Sequence, residues 1–170
     1  MARIELITRG SSLSPDGEIV AGRIVETRGE LSRPFQVLLH SPAFADRVAE
    51  LGHLVRSGSS LADADRELAT LATGSSLGCD FVWTSHLDTA SAAGVAADAI
   101  EALRDDPSRL DGREATIVAF VDELCRSGTV SGDVFAAARE TFETRALVEL
   151  AATVGYYTML ARVMGAFEAC

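Results

Sequence analysis

"RELATLATGSSLGCDFVWTSHLDTASAAGV", residues 66–95, is the stretch on which the fold of this chain turns. Leu68 and Leu71 continue a helical spacing begun at Leu61 and Ala64, with Ser60 as the expected N-cap and Asp63 and Asp65 in the first turn, where the helix dipole favours acidic groups. "TGSSLG" then breaks the pattern, and a second helix, roughly 79–93, is expected to end at Gly94. A break this short implies an antiparallel helix pair. Cys79 and His86 are seven residues apart, so at about 100° per residue they share one face of the second helix, with Val82 between them. Glu67 lies on the first helix, where the pairing can bring its carboxylate towards both. Glu67, Cys79 and His86 are therefore candidates for one site.

Outward from this segment the helical pattern continues in both directions. Upstream, Phe35, Leu38 and Leu39 belong to a short helix that must end before Ser41-Pro42, because the residue before a proline is pushed out of the α region. Ser41 as N-cap and Pro42 at the first helical position open the next helix, with Phe44, Val48, Leu51 and Val55 expected on one face. Downstream, helices are expected at 98–104, 112–127, 132–140 and 143–166. In the last of these Leu147, Leu150, Val154, Tyr157, Ala161 and Met164 form one apolar stripe. "RELATLA" at 66–72 and "RALVELA" at 145–151 echo each other, with Ala146 in the place of Glu67. No sustained strand pattern follows residue 33, so the class is all-α. Residues 1–32 hold two β-branched stretches, Ile19-Val20 and Ile24-Val25, among Gly, Ser and Pro, and read as an extended N-terminal arm preceding a helical domain at 33–170.

Composition narrows the function. The net charge of −10, from 25 acidic residues against 15 basic ones, all Arg, opposes binding to a phosphate backbone, so nucleic acid is not an expected partner. No apolar run reaches the ~20 residues of a membrane span, and Met1 is not followed by a basic segment leading into an apolar one. A soluble, cytoplasmic protein is expected. Cys79, Cys125 and Cys170 are odd in number and widely spaced, which suits thiols rather than a disulfide framework or a zinc cluster.

Taken alone, the residues leave several chemistries open. A single histidine on a mixed helix face is more often structural than catalytic, and a single core cysteine usually packs as a small hydrophobe. A metal needs more ligands than Glu67, Cys79 and His86 supply, so no metal and no cofactor are expected. Ser85 adjoins His86, but neighbouring helical side chains point about 100° apart, which argues against a serine nucleophile.

The segment 66–95 resembles the signature of the carboxymuconolactone decarboxylase superfamily, which includes the alkylhydroperoxidase D-like proteins. Its redox members carry a glutamate, eleven residues, a cysteine, two residues, a second cysteine, three residues and a histidine. Here Glu67, Cys79 and His86 keep that spacing, and Val82 stands where the second cysteine would be. Trp83, "AAGV", "ELGHLVR" and "ELAATVGYYTMLARVMGAF" also look like non-redox members, and the resemblance runs over roughly residues 33–167. It implies an alkylhydroperoxidase D-like helical bundle and a homo-oligomer, a trimer or hexamer. Val148, Tyr156, Met159 and Val163 add independent support, since they lie beyond the main stripe of the last helix.

For activity the resemblance implies a cofactor-independent lyase. Thiol–disulfide chemistry needs a resolving sulfur, which Val82 cannot supply, so Cys79 is expected to form no intramolecular disulfide. The decarboxylase branch instead moves protons on a small carboxylated lactone. Glu67 and His86 suit that work, since burial and a neighbouring charge tune a carboxyl and an imidazole for exchange near neutral pH. His86, Glu67 and Cys79 are thus the candidate catalytic residues, with Trp83, Val82 and Tyr157 facing a small-molecule substrate. Two alternatives stand beside this one: a thiol peroxidase or antioxidant protein, and a non-catalytic oligomeric binding protein.

Overall fold

Serine and proline set where the first helices begin. Ser14 is extended and its hydroxyl accepts the Gly17 N–H at 3.2 Å, Pro15 follows at the first helical position, and Asp16 and Glu18 occupy the first turn. These residues start helix α1, Pro15–Arg28. The extended arm expected at 1–32 is therefore corrected: the residues that seemed to interrupt β-branched stretches are a helix-start signal, and Val20 and Ile24 are buried on one helical face. Ser32 and Pro34 open α2, Arg33–Leu38, and Ser41 and Pro42 open α3, Pro42–His53, although the Ser41 side chain makes no capping hydrogen bond.

The computed structural model describes residues 2–169, and these contain nine α-helices and no β-strand. They gather into two compact units, Met1–Gly58 with Arg162–Cys170, and Ser59–Ala161. In the first unit α1 and α3 pack together. The buried side of α3 is Ala45, Val48 and Gly52, while Phe44 and Leu51 are exposed, so the face expected from the largest apolar residues is rotated. A π-helical turn, Leu54–Gly58, closes α3.

The second unit is built around α4, Asp63–Ser76, in which every residue from Asp65 to Gly74 is buried. It packs against α5, Asp80–Ala92, and against α7, Gly112–Ser127, with α6, Ala97–Asp105, also in contact. The helices α8, Gly132–Thr141, and α9, Thr144–Ala166, complete the chain. Leu147, Leu150 and Val154 of α9 join Leu68, Leu71, Ile117 and Val121 in one apolar core, and the whole predicted α9 stripe is buried. Buried polar groups on α4 are satisfied: the Thr70 and Thr73 hydroxyls donate to Arg66 O and Ala69 O at 2.8 and 2.7 Å, and Asp65 accepts two guanidinium nitrogens of Arg113, the shortest contact being 2.6 Å. Among the described residues no helix is long and apolar enough to cross a membrane.

Ser60 does not cap α4. Its N–H and hydroxyl both donate to Glu149 Oε2, at 2.5 and 2.6 Å, and Ala62 precedes the first helical residue. These donors, the Ser60 hydroxyl foremost, and then Arg145, hold the Glu149 carboxyl down from its ordinary 4.5 to about 2. Because its folded-state pKa lies below the unfolded one, this contact contributes stability in full above about pH 4.5 and loses it as pH falls towards 2. Glu149→Gln should therefore melt earlier than the wild type at pH 7, and the two melting curves should converge near pH 2. A gap in melting temperature that stays constant over this range would contradict the assignment.

Candidate active site

The carboxylate of Glu67 lies at the centre of the candidate site. Its side chain is only 3% exposed, on the α4 face turned towards α5. The Nδ1–H of His86, from the second turn of α5, donates to Glu67 Oε2 at 2.8 Å, and the His86 ring is 16% exposed. Arg66 reaches the other oxygen, with Nη2 3.4 Å from Glu67 Oε1. Tyr157, from α9, meets the His86 ring edge-to-face at 4.9 Å between centroids, and Tyr156 meets Tyr157 in the same manner at 5.2 Å. An edge-to-face ring contact fixes the plane of the imidazole as well as its position.

Local backbone geometry places the cysteine. Gly78, at φ +60, makes the turn between α4 and α5, a left-handed conformation that favours glycine. Cys79 follows in an extended conformation, its N–H donating to Gly74 O at 2.9 Å and its carbonyl accepting the Trp83 N–H at 3.1 Å. Cys79 is thus the residue before α5 rather than part of its first turn, which corrects the helix start expected at 79. Its thiol is buried, and so is Val82; Trp83 is half-buried against the apolar core. Cys125 lies half-buried on α7, and Cys170 falls outside the described residues.

The structure therefore brings Glu67, His86 and Tyr157 into direct contact and sets Cys79 and Val82 at the buried start of α5. Arg66 was not expected in this cluster. Its signal in the sequence was adjacency to Glu67, which on an ideal helix points to a different face. A small site built this way can accept, hold and return a proton. Among the described residues no three His, Cys, Asp or Glu side chains gather in a metal-binding arrangement.

Comparison with known proteins supplies a context for this geometry. The sequence pattern of the carboxymuconolactone decarboxylase family matches residues 42–122, a span that holds Arg66, Glu67, Cys79, Val82, Trp83 and His86. A search of curated proteins gives no match. Among solved structures, an uncharacterised peroxidase-related protein with an alkylhydroperoxidase AhpD core from Ralstonia eutropha JMP134 is similar, with a TM-score of 0.81 and 16% identity over 99% of this chain and 91% of that one. A peroxidase-related protein from Silicibacter sp. TM1040 is similar at a TM-score of 0.79 and 16% identity, covering 98% of this chain and 90% of that one. The apo debrominase Bmp8 is similar at 0.76 and 16% identity, covering 96% and 88%. At these identities the structural likeness establishes the fold, that of alkylhydroperoxidase D-like proteins.

The spacing of α4 and α5 holds the site together, and Gly74 sets it. A Cβ at this position would lie 3.0 Å from the Trp83 backbone nitrogen and 3.2 Å from Val82 Cγ1. Backbone cannot step aside as a flexible side chain would. Overpacking costs about 1–3 kcal/mol and alanine recovers roughly 1 kcal/mol in a helix, so Gly74→Ala should destabilise the protein by up to about 2 kcal/mol. Urea unfolding measures this, and a variant more stable than the wild type would show that the helices are not in close contact there.

Proposed function

We propose, with residues 42–122 of the chain belonging to the carboxymuconolactone decarboxylase family, that this protein is a cofactor-independent acid/base enzyme acting on a small carboxylated lactone or related cyclic metabolite. The observation that carries the reading is the 2.8 Å hydrogen bond between His86 Nδ1 and the buried Glu67 carboxylate. With Nδ1–H donating to Glu67, the lone pair of His86 is on Nε2, and this atom is assigned the proton transfer. In an isomerisation Nε2 would take a proton from one carbon of the substrate and return it to another. In a decarboxylation Nε2 would first take the proton of the substrate's carboxylic acid; the electron pair of the breaking C–C bond would pass into the ring as carbon dioxide leaves, and the imidazolium would return that proton to the ring carbon that receives the pair. In both, Glu67 stabilises the imidazolium and fixes its orientation, as a carboxylate does beside a catalytic histidine.

Cys79, Val82, Trp83 and Tyr157 are proposed as the surroundings of the substrate, apolar enough to keep water from the reacting atoms. The absence of redox chemistry belongs to the same proposal and rests on Val82 at the position of a second cysteine. A homo-oligomer, a trimer or hexamer, is also proposed; apolar surface on the second unit supports it, with Val148 64% and Phe135 46% exposed. A thiol-based activity is the second reading, because Cys79 has a buried thiol at the start of α5 in the family spacing to Glu67 and His86, and two similar structures are described as peroxidase-related.

Variants separate the two. Turnover of small carboxylated lactones, followed as loss of the lactone or release of carbon dioxide, should fall roughly 10²-fold or more in His86→Gln, the scale on which a general acid/base acts, with fold and assembly unchanged. Cys79→Ser should lose far less. Abolished activity in Cys79→Ser with retention in His86→Gln would make the thiol the reacting group.

A further inference from the structure

Arg66 is buried and charged, and among the described residues its side-chain partners lie only on its own helix. Its side chain is 9% exposed, Nη1 donates to Asp63 Oδ1 at 2.7 Å, Nη2 is 3.4 Å from Glu67 Oε1, and both partners lie on α4. Nε is buried with no hydrogen-bond partner among the described residues. An arginine retained to fasten helices together would spend its donors on a neighbouring helix, as Arg113 of α7 does on Asp65 of α4. The guanidinium of Arg66 instead meets the one carboxylate of the site, at the oxygen that His86 leaves open. A buried carboxylate without a cation or donors beside it is strongly unfavourable, and a guanidinium is a permanent cation.

We infer that Arg66 is a positioning residue for the Glu67–His86 pair: by holding Oε1 it presents Oε2 to His86 as a charged acceptor and keeps the imidazole in its Nδ1–H tautomer. Asp63 is 74% exposed, so water screens it and it serves mainly to anchor the guanidinium. The importance of Arg66 for turnover rests on the acid/base reading given above. The tautomer of His86 is measurable without substrate.

The test is a long-range proton–nitrogen correlation spectrum of protein carrying ¹⁵N-histidine, at neutral pH. Only three histidines are present, and His86→Gln identifies the signals of His86. In the wild type, and in Asp63→Asn, which removes only the exposed partner, the two His86 nitrogens should show the widely separated shifts of a single Nδ1–H tautomer. In Arg66→Gln they should move towards each other, as two exchanging tautomers do, and Arg66→Lys, which restores the charge, should recover part of the separation. Unchanged shifts in a folded Arg66→Gln protein would overturn the inference and leave the acid/base reading standing. Conversely, unimpaired turnover in His86→Gln would remove that reading without altering the tautomer result. If Arg66→Gln fails to fold, Arg66→Met, which keeps the packing of the stem, is read in the same way; failure of both to fold would make Arg66 a structural residue and overturn the inference.

Discussion

A single buried carboxylate, that of Glu67, joins the two helices on which the candidate site is built. Its Oε2 accepts from His86 on α5 and its Oε1 faces Arg66 on α4. Taking an ionised group out of water is tolerated only when charge and hydrogen bonds replace the solvent, and removing one partner of such a buried pair typically costs about 3–5 kcal/mol. Glu67 therefore constrains structure and chemistry together. The contact that orients the His86 ring also ties α5 to α4.

The rest of the second unit supports that contact. Gly74 allows α5 to pass within van der Waals distance of the α4 backbone, and Gly78 turns the chain so that Cys79 precedes α5 with its N–H bonded to Gly74 O and its carbonyl to the Trp83 N–H. Tyr157, carried by the buried stripe of α9, holds the plane of the imidazole through an edge-to-face contact. Burial of α4 along Asp65–Gly74 makes the mounting rigid, because both of its buried threonines spend their hydroxyls on the helix itself and Asp65 is clamped by Arg113. Positioning of this kind is what an acid/base pair requires.

Much of this was legible from the chain. The spacing of Glu67 and His86 across a tight break pointed to their meeting, and helix periodicity located α7, α8 and the buried stripe of α9 closely. What escaped the sequence depended on tertiary partners or on signals with two meanings. Ser14-Pro15 reads equally as loop punctuation and as a helix start, and only the buried positions of Val20 and Ile24 decide it. Ser60 has the chemistry of an N-cap, but a carboxylate almost ninety residues away takes its donors. The buried side of α3 includes the small residues Ala45 and Gly52, which no count of large apolar ones reveals. Arg66 was hidden because adjacent helical residues diverge on an ideal wheel; a long flexible side chain curls back to reach Glu67.

The central claim is that Glu67 acts on substrate through His86 rather than beside it. A double-mutant cycle on turnover of a carboxylated lactone, comparing Glu67→Gln, His86→Gln and the doubly substituted protein, measures this directly. If the carboxylate works only by orienting and stabilising the imidazole, the double variant is no slower than His86→Gln alone. Losses that multiply, with each substitution exacting its full cost in the absence of the other residue, would show two independent roles and contradict the account.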